Sequence, residues 1–189
     1  MSYRAAVCHE WGPPDVLRIE RRGRGVVPAD HVRVRLAACG VNFPDLLMVA
    51  GRYQFKPPLP FSPGMEAAGE VIEAGAGADV ELGARVVTRH RFGGFAEEIV
   101  VPARDCLPAP HGFSIAEAAC FTAAHMTALH ALTTRGALRA GETLLVFGAA
   151  GGVGLAAVEI GAHLGARGVA VGSTAEKREA ARCKGAAET

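Results

Sequence analysis

Residues 144–154 read LLVFGAAGGVG, and few stretches leave a chain so little choice of fold. Four apolar residues, 144–147, fit a short buried strand. A glycine-rich turn follows at once, and apolar positions at Val153, Ala156, Ala157, Ile160 and Leu164 then recur at helical spacing. In such a turn Gly151 lets the backbone approach a pyrophosphate and Gly154 lets the helix pack closely. The free N–H groups at the helix start, at the positive end of its dipole, suit a doubly negative ligand. The first glycine of the usual G-x-G-x-x-G is Ala149 here, preceded by Gly148, and the pattern alone also describes an ordinary glycine-rich turn. A second apolar run at 169–171, one helix later, completes a βαβ unit and favours a dinucleotide site.

The rest of the chain can bury a core: 189 residues, 50% hydrophobic and 21% charged, enough for one or two domains. The net charge of +1 is spread without a basic stripe or interleaved aromatics, so no nucleic-acid partner is expected. No window reaches the roughly 18 consecutive apolar residues of a membrane span. The N-terminal MSYRAAVCHEWGPPD lacks an apolar core after Arg4, which points to a cytoplasmic protein with no membrane partner. Cys8, Cys39, Cys106, Cys120 and Cys183 are far apart, odd in number and without C-x-x-C spacing, so reduced thiols are expected.

Up to residue 113 the pattern is one of short strands and turns. Residues 4–9 and 16–20 read as a strand and its return around Gly12-Pro13-Pro14-Asp15. Residues 31–39 alternate, with Val32, Val34 and Leu36 on one face and Arg33 and Arg35 on the other, which predicts a half-buried strand. A short helix over 44–50 leads into a loop rich in proline (Pro57, Pro58, Pro60, Pro63), poor in N–H donors and of the kind that borders a site. Further strands over 67–74, 84–88 and 95–101 suggest an open β-barrel. From Ser114 the pattern turns helical, with Ser114 and Glu117 forming a capping box ahead of a broken helix through 116–131. The boundary is expected near residue 122, dividing 1–121 from 122–189. A last helix is expected over 175–184, ending before Gly185. A doubly wound α/β fold has about six parallel strands. This sequence supplies the first two, so the second domain is expected to be incomplete, with exposed edges that favour aggregation or a complementing chain.

Four motifs in order, AACGVNFPDLL, GRYQFKPPLPFSPGMEAAGEV, MTALHAL and VFGAAGGVGLAAVEIGAHLGA, resemble the zinc-independent quinone oxidoreductase (zeta-crystallin-like) branch of the medium-chain dehydrogenase/reductase superfamily. The resemblance covers essentially the whole chain. It implies a GroES-like β-barrel catalytic domain followed by a Rossmann domain, with the active site in the cleft between them. Full-length relatives continue further, complete the sheet and form homodimers; a dimer is doubtful for this chain.

The resemblance also assigns residues. Ala150, Gly151, Gly152, Val153 and Gly154 match the phosphate turn, and Thr127 matches a residue near the nicotinamide. An NAD enzyme typically offers Asp or Glu at the end of the second strand. Here the segment is Val171-Gly172-Ser173-Thr174-Ala175-Glu176-Lys177-Arg178, and Ser173 and Lys177 match positions used for a 2′-phosphate, so NADPH is the expected cofactor. On charge pattern alone, Lys177 and Arg178 also fit a solvated helix face. Zinc relatives place a cysteine where this chain has Asn42 and a histidine where it has Met65, poor replacements as ligands, so no metal is expected.

Without a Lewis acid, the chemistry implied is hydride transfer to a quinone or activated alkene, leaving an oxyanion that a nearby donor stabilises. Asn42, Asp45 and Tyr53 match cleft positions. Tyr53 can donate a hydrogen bond or pack on Pro57 and Pro58; Asn42 can orient a ligand or cap the helix; Asp45 can be a first-turn acid. An enoyl thioester reductase of the same family, and a truncated non-catalytic NADPH-binding module, are the competing functions.

Overall fold

The nine-residue strand His31–Cys39 (β3) organises the first half of a computed structural model that describes residues 1–189. It pairs antiparallel with Glu66–Ala74 (β4) on one side and Glu98–Pro102 (β6) on the other. Arg85–Arg89 (β5) and Cys106–Pro108 (β7) extend the sheet in the order β6-β3-β4-β5-β7. Val32 and Val34 pack with Val71, Val86 and Val101 in its core, as the alternation predicts. Gly69 leaves room for the β3 backbone: an added Cβ would sit 2.0 Å from the Arg35 carbonyl oxygen.

The other face of β3 departs from the expectation. Arg33, predicted to face solvent, is 2% exposed. Its Nε donates to Glu73 at 2.8 Å, an Nη donates to the Gly25 carbonyl, and Glu98 lies 3.8 Å away. Glu98 is itself buried and also pairs with Arg24. Residues 24–25 therefore cover a face that a lone amphipathic strand would leave to water. Arg35 stays exposed and pairs with Glu70.

The strands Ser2–Val7 (β1) and Arg18–Gly23 (β2) form a separate antiparallel pair. The return strand begins two residues later than expected because Pro14–Val16 continues the turn as a 3₁₀ helix. The helix Phe43–Val49 (α1) packs Met48 and Val49 on Cys8 and Phe61. β7 has no counterpart in the sequence reading. It is three residues long, ends in proline and lies at the sheet edge, where a missing N–H is tolerated.

The helix Ile115–Leu129 (α2) starts with the predicted capping box: Ser114 N–H donates to Glu117 at 2.8 Å, and Glu117 N–H donates to Ser114 Oγ at 3.2 Å. It runs on as a π-helical segment, His130–Arg135. The chain divides within α2 into two units, Met1–Thr122 and Ala123–Thr189.

In the second unit Thr143–Phe147 (β8) and Arg167–Val171 (β9) pair in parallel, joined by Gly152–His163 (α3) and followed by Ala175–Cys183 (α4). Val146, Ala149, Val158, Ala170 and Ala181 form the core. The expectation that residues 144–147 are a buried strand holds for Val146 but not for its neighbours. Leu145 is 52% and Phe147 75% exposed, because helices cover one face of this two-stranded sheet, where fully wound parallel sheets carry helices on both. No helix in the chain is long and apolar enough to cross a membrane.

Candidate functional site

The residues singled out by the sequence fall in both units, and the structure brings only some of them together. In the second unit a pocket of about 490 Å³ opens at the carboxyl ends of β8 and β9, lined by Gly148, Ala150, Gly151, Val171, Gly172, Ser173 and Lys177. The turn explains its altered fingerprint. The left-handed backbone that requires glycine falls on Gly148, with φ of 61°, which leaves Ala149 free to be a core residue at 1% exposure. Gly151 is the N-cap of α3. A Cβ on Gly154 would lie 2.5 Å from the Gly148 carbonyl oxygen and 2.8 Å from the Ala149 Cα, so Gly154 lets the helix settle on the turn itself. The N-terminal end of α3, at its N-cap Gly151, thus borders an open cavity, and the positive end of a helix dipole suits phosphate oxygens there. Gly152, Val153 and Gly154 form the first turn of α3 and do not line the cavity.

Across the pocket, Lys177 Nζ donates to Ser173 Oγ at 3.3 Å. Thr174, which sequence reasoning passed over, caps α4 by accepting from the Lys177 N–H at 3.3 Å. Arg178 is turned away, with Nη1 on the Gly172 carbonyl at 3.1 Å. Lys177 and Arg178 are therefore not one uniform charged face. Glu176 does not line the pocket, and neither does Thr127, which is exposed on α2.

In the first unit, Asn42 is the N-cap of α1, and its backbone N–H donates to Asp45 at 2.8 Å. The second oxygen of Asp45 accepts from the Gly64 N–H at 3.1 Å. Asp45 is 1% exposed, and burial pushes its carboxyl above the usual range while these two backbone donors pull it down. Asp45 thus ties α1 to the proline loop and shows no face to solvent. Asn42 Nδ2 donates to Glu66 Oε1 at 2.9 Å. Glu66, 3% exposed, is the residue that sequence reasoning missed; the signal was a charged residue heading the otherwise apolar start of β4. Tyr53 is half-buried and packs beside the Cys8, Met48, Val49 and Phe61 cluster. Cys39 donates to the Glu66 carbonyl at 3.0 Å, and burial pushes its thiol up to about 12. Burial pushes the His90 imidazole down to about 4, against the weaker pull of the Gly64 backbone and Asp105, which raise it. No group of three or more His, Cys, Asp or Glu side chains is placed to hold a metal ion.

Residues 28–111 match the alcohol dehydrogenase GroES-like domain family. Quinone oxidoreductase-like protein 2 of Rattus norvegicus is 38% identical over 186 residues, covering 97% of this chain and 53% of the relative. Over nearly its whole length the chain is similar to quinone oxidoreductases of the medium-chain dehydrogenase/reductase superfamily. A solved structure of a probable oxidoreductase from Mycobacterium abscessus superposes with a TM-score of 0.93 at 38% identity, over 100% of this chain and 61% of that one. The quinone oxidoreductase of Thermus thermophilus, solved also in complex with NADPH, superposes with a TM-score of 0.83 at 36% identity, over 98% of this chain and 58% of that one. The chain spans about half the length of the curated relatives it matches.

Proposed function

We propose that the chain forms the catalytic domain and the nucleotide-binding start of a cytoplasmic, NADPH-dependent oxidoreductase that reduces quinones or activated alkenes without zinc. The observation that carries the cofactor choice is the Lys177 ammonium on the Ser173 hydroxyl at the end of β9, in a pocket with no carboxylate in its lining. A cation and a hydroxyl suit a 2′-phosphate, whereas a carboxylate there would hold ribose hydroxyls. The glycine turn fits the remainder: Gly148, Ala150 and Gly151 line the same pocket, and α3 begins there, with the positive end of its dipole toward a pyrophosphate. When bound, the dinucleotide would supply a hydride. Asn42 and Tyr53 are the groups proposed to contact substrate or cofactor, and Asp45 acts through Asn42. The amide of Asn42 and the thioether of Met65, standing where zinc relatives carry cysteine and histidine, favour chemistry by positioning and hydrogen bonding.

The test is a fluorescence titration of the 189-residue chain with NADPH and with NADH. NADPH should bind about tenfold more tightly, equivalent to about 1.4 kcal/mol, and Lys177→Ala should remove that preference while leaving NADH affinity unchanged. Equal or tighter binding of NADH by the unmodified chain overturns the assignment.

A further inference from the structure

Asn42 is held at two points by two different carboxylates. Asp45 takes its backbone N–H, which already serves the start of α1. Glu66 takes its side chain. Burying a carboxylate costs free energy unless strong hydrogen bonds repay it, and a half-buried asparagine could be satisfied by water alone. The second tie is thus more than helix capping requires.

The backbone around it is shaped for that tie. A Cβ on Gly40 would fall 2.4 Å from Glu66 Oε1, 2.8 Å from its Cγ and 2.9 Å from its Cδ. The missing side chain at Gly40 is what admits the Glu66 side chain. The Gly40 N–H and the Cys39 thiol both donate to the Glu66 carbonyl, at 3.2 and 3.0 Å, fixing the start of β4 against the end of β3. A carboxylate only accepts hydrogen bonds, so the NH₂ end of the Asn42 amide must face Glu66 and the amide cannot turn over.

We propose that Glu66 is a positioning residue, which locks the Asn42 amide in one orientation for the ligand it meets. This rests on the reading of Asn42 as a ligand-contacting group. Its energetic part is separable, because the hydrogen bond can be reversed. Asn42→Asp sets two carboxylates against each other, whereas Asn42→Asp with Glu66→Gln restores the contact with donor and acceptor exchanged.

The experiment measures urea unfolding of the 189-residue chain by the fluorescence of Trp11, its single tryptophan. Asn42→Asp should lower the midpoint, and the double variant should regain most of that loss. A double variant no more stable than Asn42→Asp alone overturns the pairing. The orienting role is read by NMR in Glu66→Leu, which removes the acceptor at similar volume. The Asn42 side-chain NH₂ signals should shift toward their solvent-exposed position while the backbone amides of α1 stay in place. Unmoved NH₂ signals overturn the proposal, and a Glu66→Leu chain that does not fold leaves the exchange to decide it. In NADPH-dependent quinone reduction, Glu66→Leu should lower kcat about tenfold with KM nearly constant. A wild-type chain that reduces no quinone counts against the proposed function alone, since the exchange and the NMR signals decide Glu66 without turnover.

Discussion

In the first unit, the candidate site rests on buried carboxylates, Asp45 at 1% and Glu66 at 3% exposed, and the same sheet buries Arg33 at 2% toward the far end of β3. In the second unit the candidate site is made of a glycine-rich turn and exposed side chains, and its core holds only apolar residues. The difference suits what each unit is proposed to bind. A pyrophosphate is recognised by geometry that the main chain supplies once glycines stand at the right places. Orienting a side-chain amide needs partners fixed by packing from several strands. Substitutions in the first unit should therefore act mainly on stability, and those in the second mainly on affinity or solubility.

The sharpest way to break this contrast is Arg33→Ala. It would leave Glu98 buried with one partner fewer and the Gly25 carbonyl without its donor. The expected cost is about 3–5 kcal/mol of unfolding free energy, read by Trp11 fluorescence in urea. A cost below about 1 kcal/mol would show that the buried charges of the first unit are not structural.

Acid provides the next test. In the unfolded chain His90 takes up a proton near pH 6.5, while in the folded chain burial delays this to about 4, so the unfolded state binds more protons between those values. Its contribution to stability is therefore fully present above pH 6.5 and is lost as pH falls toward 4, an effect of about 3 kcal/mol. Unfolding followed by Trp11 fluorescence across that range should show the loss, and His90→Leu should flatten it. An unchanged slope in the variant would assign the acid sensitivity to other groups.

The smallest effect belongs to the second unit. Phe147 is 75% exposed on the open face of β8, so Phe147→Ser should change stability by no more than about 0.5 kcal/mol while reducing light scattering in concentrated solution. A loss of about 2 kcal/mol or more in urea unfolding followed by circular dichroism would mean that this face is covered, and the contrast between the units would weaken.

Local signals carried much of the fold. The apolar run and glycines of 144–154 specify strand, turn and helix because each depends on neighbours within a few residues, and the Ser114–Glu117 box is a contact between positions three apart. The alternation in β3 likewise placed Val32 and Val34 in the core. For the site, sequence picked out Asn42 and Asp45 but left open what they do, and it passed over Glu66, which lies 24 residues from Asn42.

What tertiary structure alone decided was which faces are covered. Arg33 is buried because Gly25, Glu73 and Glu98 converge on it from three separate segments, and Phe147 is exposed because helices pack on one side of its sheet. Periodicity reports that a strand has two different faces; it holds no information about what lies against each. The same limit applies at the glycine turn. The sequence specified a glycine turn between strand and helix there, and folding determined that Gly148 carries the left-handed backbone, that Ala149 belongs to the core, and that Lys177 rather than Arg178 faces the pocket. Each of those outcomes depends on close approach between segments, which the order of residues does not encode locally.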